Sequence, residues 1–177
     1  MNIVLIGMRG AGKSNISRRL SVMTKWPVLS TDLLIQYENQ GKTIAQIIAE
    51  TQGDWRAFRD MEFVVVRKVA CLDNVIIDCG GGVVVDLDDQ GNEIFSSRKI
   101  DLLKQNGKII WLKGDIHRLA AKVKDDQQRP SLDQMKSTEE LMQRRMPFYK
   151  KAADVIVDIE DKGRRRLAKK VYRVALK

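Results

Sequence analysis

The 177-residue chain, 44% hydrophobic and 31% charged, has the size of one domain with a real core. It is expected to lack a membrane span and a signal peptide, because no apolar run is long enough and the first strand runs straight into a glycine loop. One histidine, His117, excludes histidine metal sites and histidine triads, and two cysteines without metal spacing, Cys71 and Cys79, suggest free thiols in a cytoplasmic protein.

The chain opens on an apolar strand, residues 2–6, followed by Gly7-Met8-Arg9-Gly10-Ala11-Gly12-Lys13-Ser14 and a helical pattern over 13–24. This is a complete G-x-x-x-x-G-K-[ST] loop in the strand-loop-helix context that gives it meaning. Gly7, Gly10 and Gly12 let the backbone, including Ala11, turn its N–H groups toward an anion at the helix N-terminus. Lys13 suits β- and γ-phosphates, and the Ser14 hydroxyl suits Mg²⁺. A chance glycine turn would need neither Lys nor Ser there, so the loop indicates binding of a nucleoside triphosphate.

A short strand is expected near 27–29, then helices over 31–38, 44–51 and 54–72, which read as an inserted substrate-binding segment at 31–72. A strand over 74–78 ends at Asp78 and is followed by Gly80-Gly81-Gly82. Residues 83–98, with Asp86, Asp88 and Asp89, read as an acidic, solvated hairpin or loop of no assigned role. Then come a helix over 96–105, a strand over 108–112 and a helix over 115–124 that exposes His117. The polar, proline-interrupted stretch 125–135 suits a mobile lid. Phosphoryl transfer requires such parts, because water must be excluded from ATP.

A helix over 136–150, a strand over 154–158 and a helix over 163–175 complete the chain. Strands alternating with helices predict an α/β fold, a parallel sheet with helices on both faces and ligands at the strand carboxyl ends. The net charge of +9 is concentrated in residues 144–177, with twelve Lys/Arg against four Asp/Glu, a net of +8. That could mean nucleic acid, but Leu167, Val171, Val174 and Ala175 form an apolar stripe and no aromatic stacking pattern accompanies the charge. A solvated face of a terminal helix is the favoured reading.

Beyond the loop, the chain carries Ser30-Thr31-Asp32, Phe58-Arg59-Asp60-Met61-Glu62, the triple glycine, Arg129-Pro130 and Arg145-Met146-Pro147-Phe148-Tyr149. In this order and spacing the chain resembles the shikimate kinases, small P-loop enzymes related to nucleoside-monophosphate kinases. The resemblance implies one kinase domain over 1–177 with a three-layer, five-stranded parallel sheet of order 2-3-1-4-5; the chain is expected to act as a monomer. It also implies transfer of the ATP γ-phosphoryl group to the 3-hydroxyl of shikimate, with Mg²⁺.

The resemblance assigns Arg59 and Arg145 to the shikimate carboxylate, a task for which planar guanidinium suits well. Glu62, three residues after Arg59, would hold its rotamer, although a surface ion pair would look the same. Asp32 matches the acid that accepts hydrogen bonds from the acceptor hydroxyls and the proton of the attacking oxygen; it also suits a helix N-terminus. Gly80, Gly81 and Gly82 would let backbone approach the substrate. Phe58 would pack beneath the substrate or simply in the core. Arg129 matches the lid arginine on the transferring phosphates, and Lys122 stands where the family often has an arginine against adenine.

One departure stands out. The family's Asp-x-Asp at the end of the second strand begins here with Ser30, removing a carboxylate that helps hold Mg²⁺ through water. Asp78 ends the adjacent strand and is a candidate replacement, or else caps the glycine turn. Two other functions fit parts of the pattern: a kinase of gluconate or a nucleoside monophosphate, and a non-catalytic P-loop module that binds partners through its basic C-terminal helix.

Overall fold

The computed structural model describes residues 1–123, 138–160 and 163–176. At its centre lies β1 (Asn2–Ile6), all five of whose residues are buried. Consecutive apolar side chains are what a strand covered on both faces requires. β1 pairs in parallel with β3 (Ile76–Asp78) on one side and β6 (Gly107–Lys113) on the other. β2 (Val28–Ser30) lies beyond β3 and β7 (Val155–Asp158) beyond β6. Counting only these five strands in sequence, the order is 2-3-1-4-5, as expected.

Right-handed crossovers fix the layers. The chain moves from β1 to β2 through α1 (Lys13–Thr24), in one direction across the sheet. It moves the opposite way through α2 (Thr31–Glu38), α3 (Ile44–Glu50) and α4 (Trp55–Ala70), then α5 (Ser97–Asn106), then α6 (Ile116–Val123) and α7 (Thr138–Ala152). These helices therefore cover the other face. α8 (Arg164–Leu176) joins α1, burying Leu167, Ala168, Val171 and Ala175. Its basic residues are exposed, as expected of a solvated face.

Local chemistry sets most boundaries. Ser30, Thr43 and Asp54 cap α2, α3 and α4, the second with a reciprocal Gln46 capping box. β3 starts at Ile76, not residue 74, because Asn74 has φ 56°, outside the range of a strand. β2 begins after Pro27, which lacks an N–H for the sheet. Among the described residues no helix is long and apolar enough to cross a membrane. The proposed lid, residues 125–135 with Arg129, lies outside the described residues.

The segment after the glycines is a hairpin, β4 (Val85–Leu87) against β5 (Glu93–Phe95), separate from the main sheet. It is less solvated than expected. Val83, Val84 and Val85 are fully buried, and Asp86 is turned inward onto Arg98 and Ser96. Only its tip, where Asp88 holds Gln90 and Asn92, reads as an ordinary exposed turn.

Candidate active site

The carboxyl ends of β1 and β3 adjoin, with Leu5 opposite Asp78. The chain leaves these strands toward opposite faces, which opens the crevice where ligands collect in such sheets. The glycine loop fills one side. Gly10 and Gly12 have φ of 81° and 83°, left-handed values that favour glycine. Gly12 is the N-cap of α1 and provides no side-chain cap, so no capping side chain competes with an anion for the helix N-terminus. Lys13 Nζ donates to the carbonyls of Gly7 at 2.7 Å and Met8 at 3.2 Å, folded over the loop it would leave to meet phosphate. A Cβ on Gly10 would lie 3.6 Å from Leu119 and Val123, so the last turn of α6, with exposed Lys122, stands beside the loop.

Asp78 sits next to Ser30 across the sheet, as paired residues of β3 and β2. Burial pushes the Asp78 pKa up, hydrogen bonding from Ser14 and the Lys13 charge pull it down, and nearby Asp32 adds to the rise; the net shift is upward. Ser30 meanwhile caps α2 through the Leu33 amide. Ser14, Asp78 and Asp32 thus gather hydroxyl and carboxylate oxygens beside the phosphate loop. That donor set suits Mg²⁺, which takes oxygen ligands and keeps several waters that need acidic partners.

The three glycines each make room for a different group. A Cβ on Gly80 would run into the Asp32 carboxylate, and one on Gly82 into the Arg59 guanidinium. A Cβ on Gly81 would lie 3.4 Å from the Arg9 amide nitrogen of the phosphate loop. The run therefore joins the phosphate loop, α2 and α4 at one place. Hydrogen bonds fix it: the Gly80 amide donates to Thr31 Oγ1 at 2.9 Å, and the Tyr149 hydroxyl donates to the Gly81 carbonyl.

Arg59 is 3% exposed and lies over the rings of Trp55 and of buried Phe58. Its Nη1 donates to Glu62 at 3.0 Å and to the Gly82 carbonyl at 3.3 Å. Glu62 is itself buried, so this is no surface pair. The same Glu62 oxygen accepts from Lys99 Nζ at 2.6 Å, and Lys99, fully buried, also donates to the Val85 carbonyl at 2.6 Å. Burial acts most strongly on the Glu62 pKa and would raise it; Lys99 and Arg59 outweigh it and hold the group below the usual carboxylate range.

Arg145, on α7, is almost buried and pairs with Glu93 of β5, which also accepts from Arg144 at 3.2 Å. The sequence reading named neither Glu93 nor Lys99.

A family model described as "Shikimate kinase" matches residues 9–175. A shikimate kinase of Leptospira biflexa is 41% identical over 171 residues, covering 97% of this chain and 93% of that protein. One of Leptospira borgpetersenii is 43% identical over 160 residues, covering 90% and 89%. The structure of the Acinetobacter baumannii shikimate kinase in complex with shikimate aligns with a TM-score of 0.81 at 24% identity, covering 98% of this chain and 91% of that one, a likeness of fold. With near-complete coverage at this identity, and the loop, the glycine run and the arginine helix standing where the geometry needs them, the chain belongs to the shikimate kinase family.

Proposed function

We propose that the crevice between β1 and β3 carries out the family's reaction and that the residues gathered there perform it. The chain phosphorylates shikimate at its 3-hydroxyl with ATP, giving shikimate 3-phosphate and ADP. The observation that carries the residue assignment is the convergence of Asp32, Arg59 and the phosphate loop on three consecutive glycines.

The loop amides of residues 7–14 and the α1 N-terminus hold the β- and γ-phosphates, and Lys13 exchanges its two carbonyl partners for phosphate oxygens. Lys122, exposed in the last turn of α6, is assigned to cover adenine. Ser14, backed by Asp78, would hold Mg²⁺. When bound, the ion neutralises charge on the β- and γ-phosphates.

Arg59 and Arg145 take the shikimate carboxylate, since bidentate arginine fixes both its position and its orientation. Asp32, lodged over Gly80, accepts the hydrogen of the 3-hydroxyl. That oxygen forms a bond to the γ-phosphorus while the bond to the β–γ bridging oxygen breaks, and the proton passes to Asp32. Arg129, outside the described residues, is the proposed lid cation that meets the spreading negative charge. Nothing in this scheme draws on the basic α8, and the donor and acceptor groups retained together set aside a non-catalytic module.

Measuring ADP release with shikimate, gluconate and each nucleoside monophosphate tests the assignment. The expected result is turnover with shikimate alone. Equal or faster turnover with another acceptor would refute it.

A further inference from the structure

The arginine fork assigned to the acceptor already holds a carboxylate belonging to the chain. Glu93 opens β5, and its side chain is only 4% exposed. Arg145 Nε donates to its two oxygens at 3.1 and 3.2 Å, and Nη2 donates to Oε1 as well. This side-on, two-point geometry is the one a substrate carboxylate would use. Arg144 adds a third donor at 3.2 Å, and Arg59 is near enough for its charge to act on Glu93. Three arginines from α4 and α7 thus converge on one carboxylate in a crevice that must receive another.

We propose that Glu93 is an intramolecular counter-ion of the acceptor fork, which the acceptor's carboxylate displaces, so that the hairpin sets the affinity of the site. The proposal rests on the reading of Arg59 and Arg145 as the acceptor's carboxylate partners.

Three features make the exchange physically reasonable. First, Arg145 is nearly buried, and a buried cation without a partner is costly, so an empty fork needs a resident anion. Second, a displaced Glu93 has somewhere to go. Arg144 is 35% exposed and already bonded to it, and can keep it paired at the crevice edge. Third, Glu93 stands on a two-stranded hairpin outside the main sheet, with three-residue strands and an exposed Ile94. Such a hairpin is marginal alone and can shift its β5 side at small cost. Its root is fixed instead by Asp86, bonded to Arg98 and Ser96, and by Lys99 on the Val85 carbonyl.

The consequence is an occupancy filter. Shikimate also offers hydroxyls to Asp32, whereas a simple carboxylate has only the fork. The displacement cost weakens both by the same factor, which leaves the simple anion unbound at concentrations where shikimate still binds.

The sign of one substitution decides the matter. Glu93→Gln keeps size and shape and removes the charge. If the fork is free of Glu93 about one-tenth of the time, the shikimate dissociation constant falls by about ten-fold in this variant, and the inhibition constant of benzoate falls in parallel. A dissociation constant that is unchanged or higher overturns the proposal, and a rise would make Glu93 a permanent support of Arg145. Glu93→Asp, too short to reach the fork squarely, should shift both constants the same way and serves if the Gln variant does not fold. Arg145→Ala separates the two levels. If shikimate affinity survives Arg145→Ala, the acceptor assignment itself is wrong and the proposal falls with it. If affinity is lost there but does not improve in Glu93→Gln, only the displacement idea fails.

Discussion

The two halves of the crevice solve recognition by different means. The phosphate cradle of the donor half is one contiguous stretch, residues 7–14, which acts through backbone amides, a helix N-terminus and one lysine. The acceptor half is assembled from α2, α4, the glycine run, the β4–β5 hairpin and α7, and acts through charged side chains. Its two arginines are held by carboxylates, and one of those carboxylates by a further cation: Arg59 by Glu62, Glu62 by Lys99, Arg145 by Glu93. Backbone recognition needs only local conformation. Recognition by side chains needs a second layer, so acceptor binding should be sensitive to residues that never touch the acceptor.

The largest effect tests the donor half. Lys13→Ala should lower kcat by about 10³-fold or more, because a cation on the transferring phosphates is worth that much. A variant that keeps the wild-type rate would make the loop structural. Next is the layer behind the acceptor half. Lys99→Met leaves Glu62 buried without its nearest cation and should destabilise the fold by about 3–5 kcal/mol in denaturant unfolding. In the folded fraction it should raise KM for shikimate and leave KM for ATP unchanged. If both constants move together, the halves are not independent.

Arg59→Ala should raise KM for shikimate by about ten- to a hundred-fold, the effect of losing a charged hydrogen-bonding partner, with little change for ATP. Equal losses toward both substrates would take Arg59 out of the acceptor half. The smallest effect lies at the seam. Asp78→Asn should raise the Mg²⁺ concentration for half-maximal activity by about ten-fold, and Ser30→Asp in that background should recover part of it. An unchanged Mg²⁺ dependence would return Asp78 to a turn-capping role.

The same contrast decides what could be read from sequence. The phosphate loop and the five alternating strands were legible because they depend on short-range patterns. Strand order came from the family resemblance. Arg59 and Glu62 were legible as a pair three residues apart, although nothing local showed that both are buried. Lys99 and Glu93 were not legible. Lys99 reads as one more lysine on a polar helix, and its partner Glu62 lies 37 residues away. Glu93 sits in a three-residue strand, too short to announce itself, and meets Arg145 across 52 residues. The neighbourhood of Ser30 and Asp78 was legible as the ends of two adjacent strands, and the sheet register places them side by side on β2 and β3.

Identifying the product bears most directly on the central claim, that this chain moves phosphate from ATP to the 3-hydroxyl of shikimate. The wild-type chain, incubated with ATP, Mg²⁺ and shikimate, should yield, besides the resonances of ADP, one new phosphorus resonance coupled to the ring proton on C3 and growing in step with ADP. Inorganic phosphate as the sole new signal besides ADP, or phosphorus coupled to a different ring proton, would contradict the account.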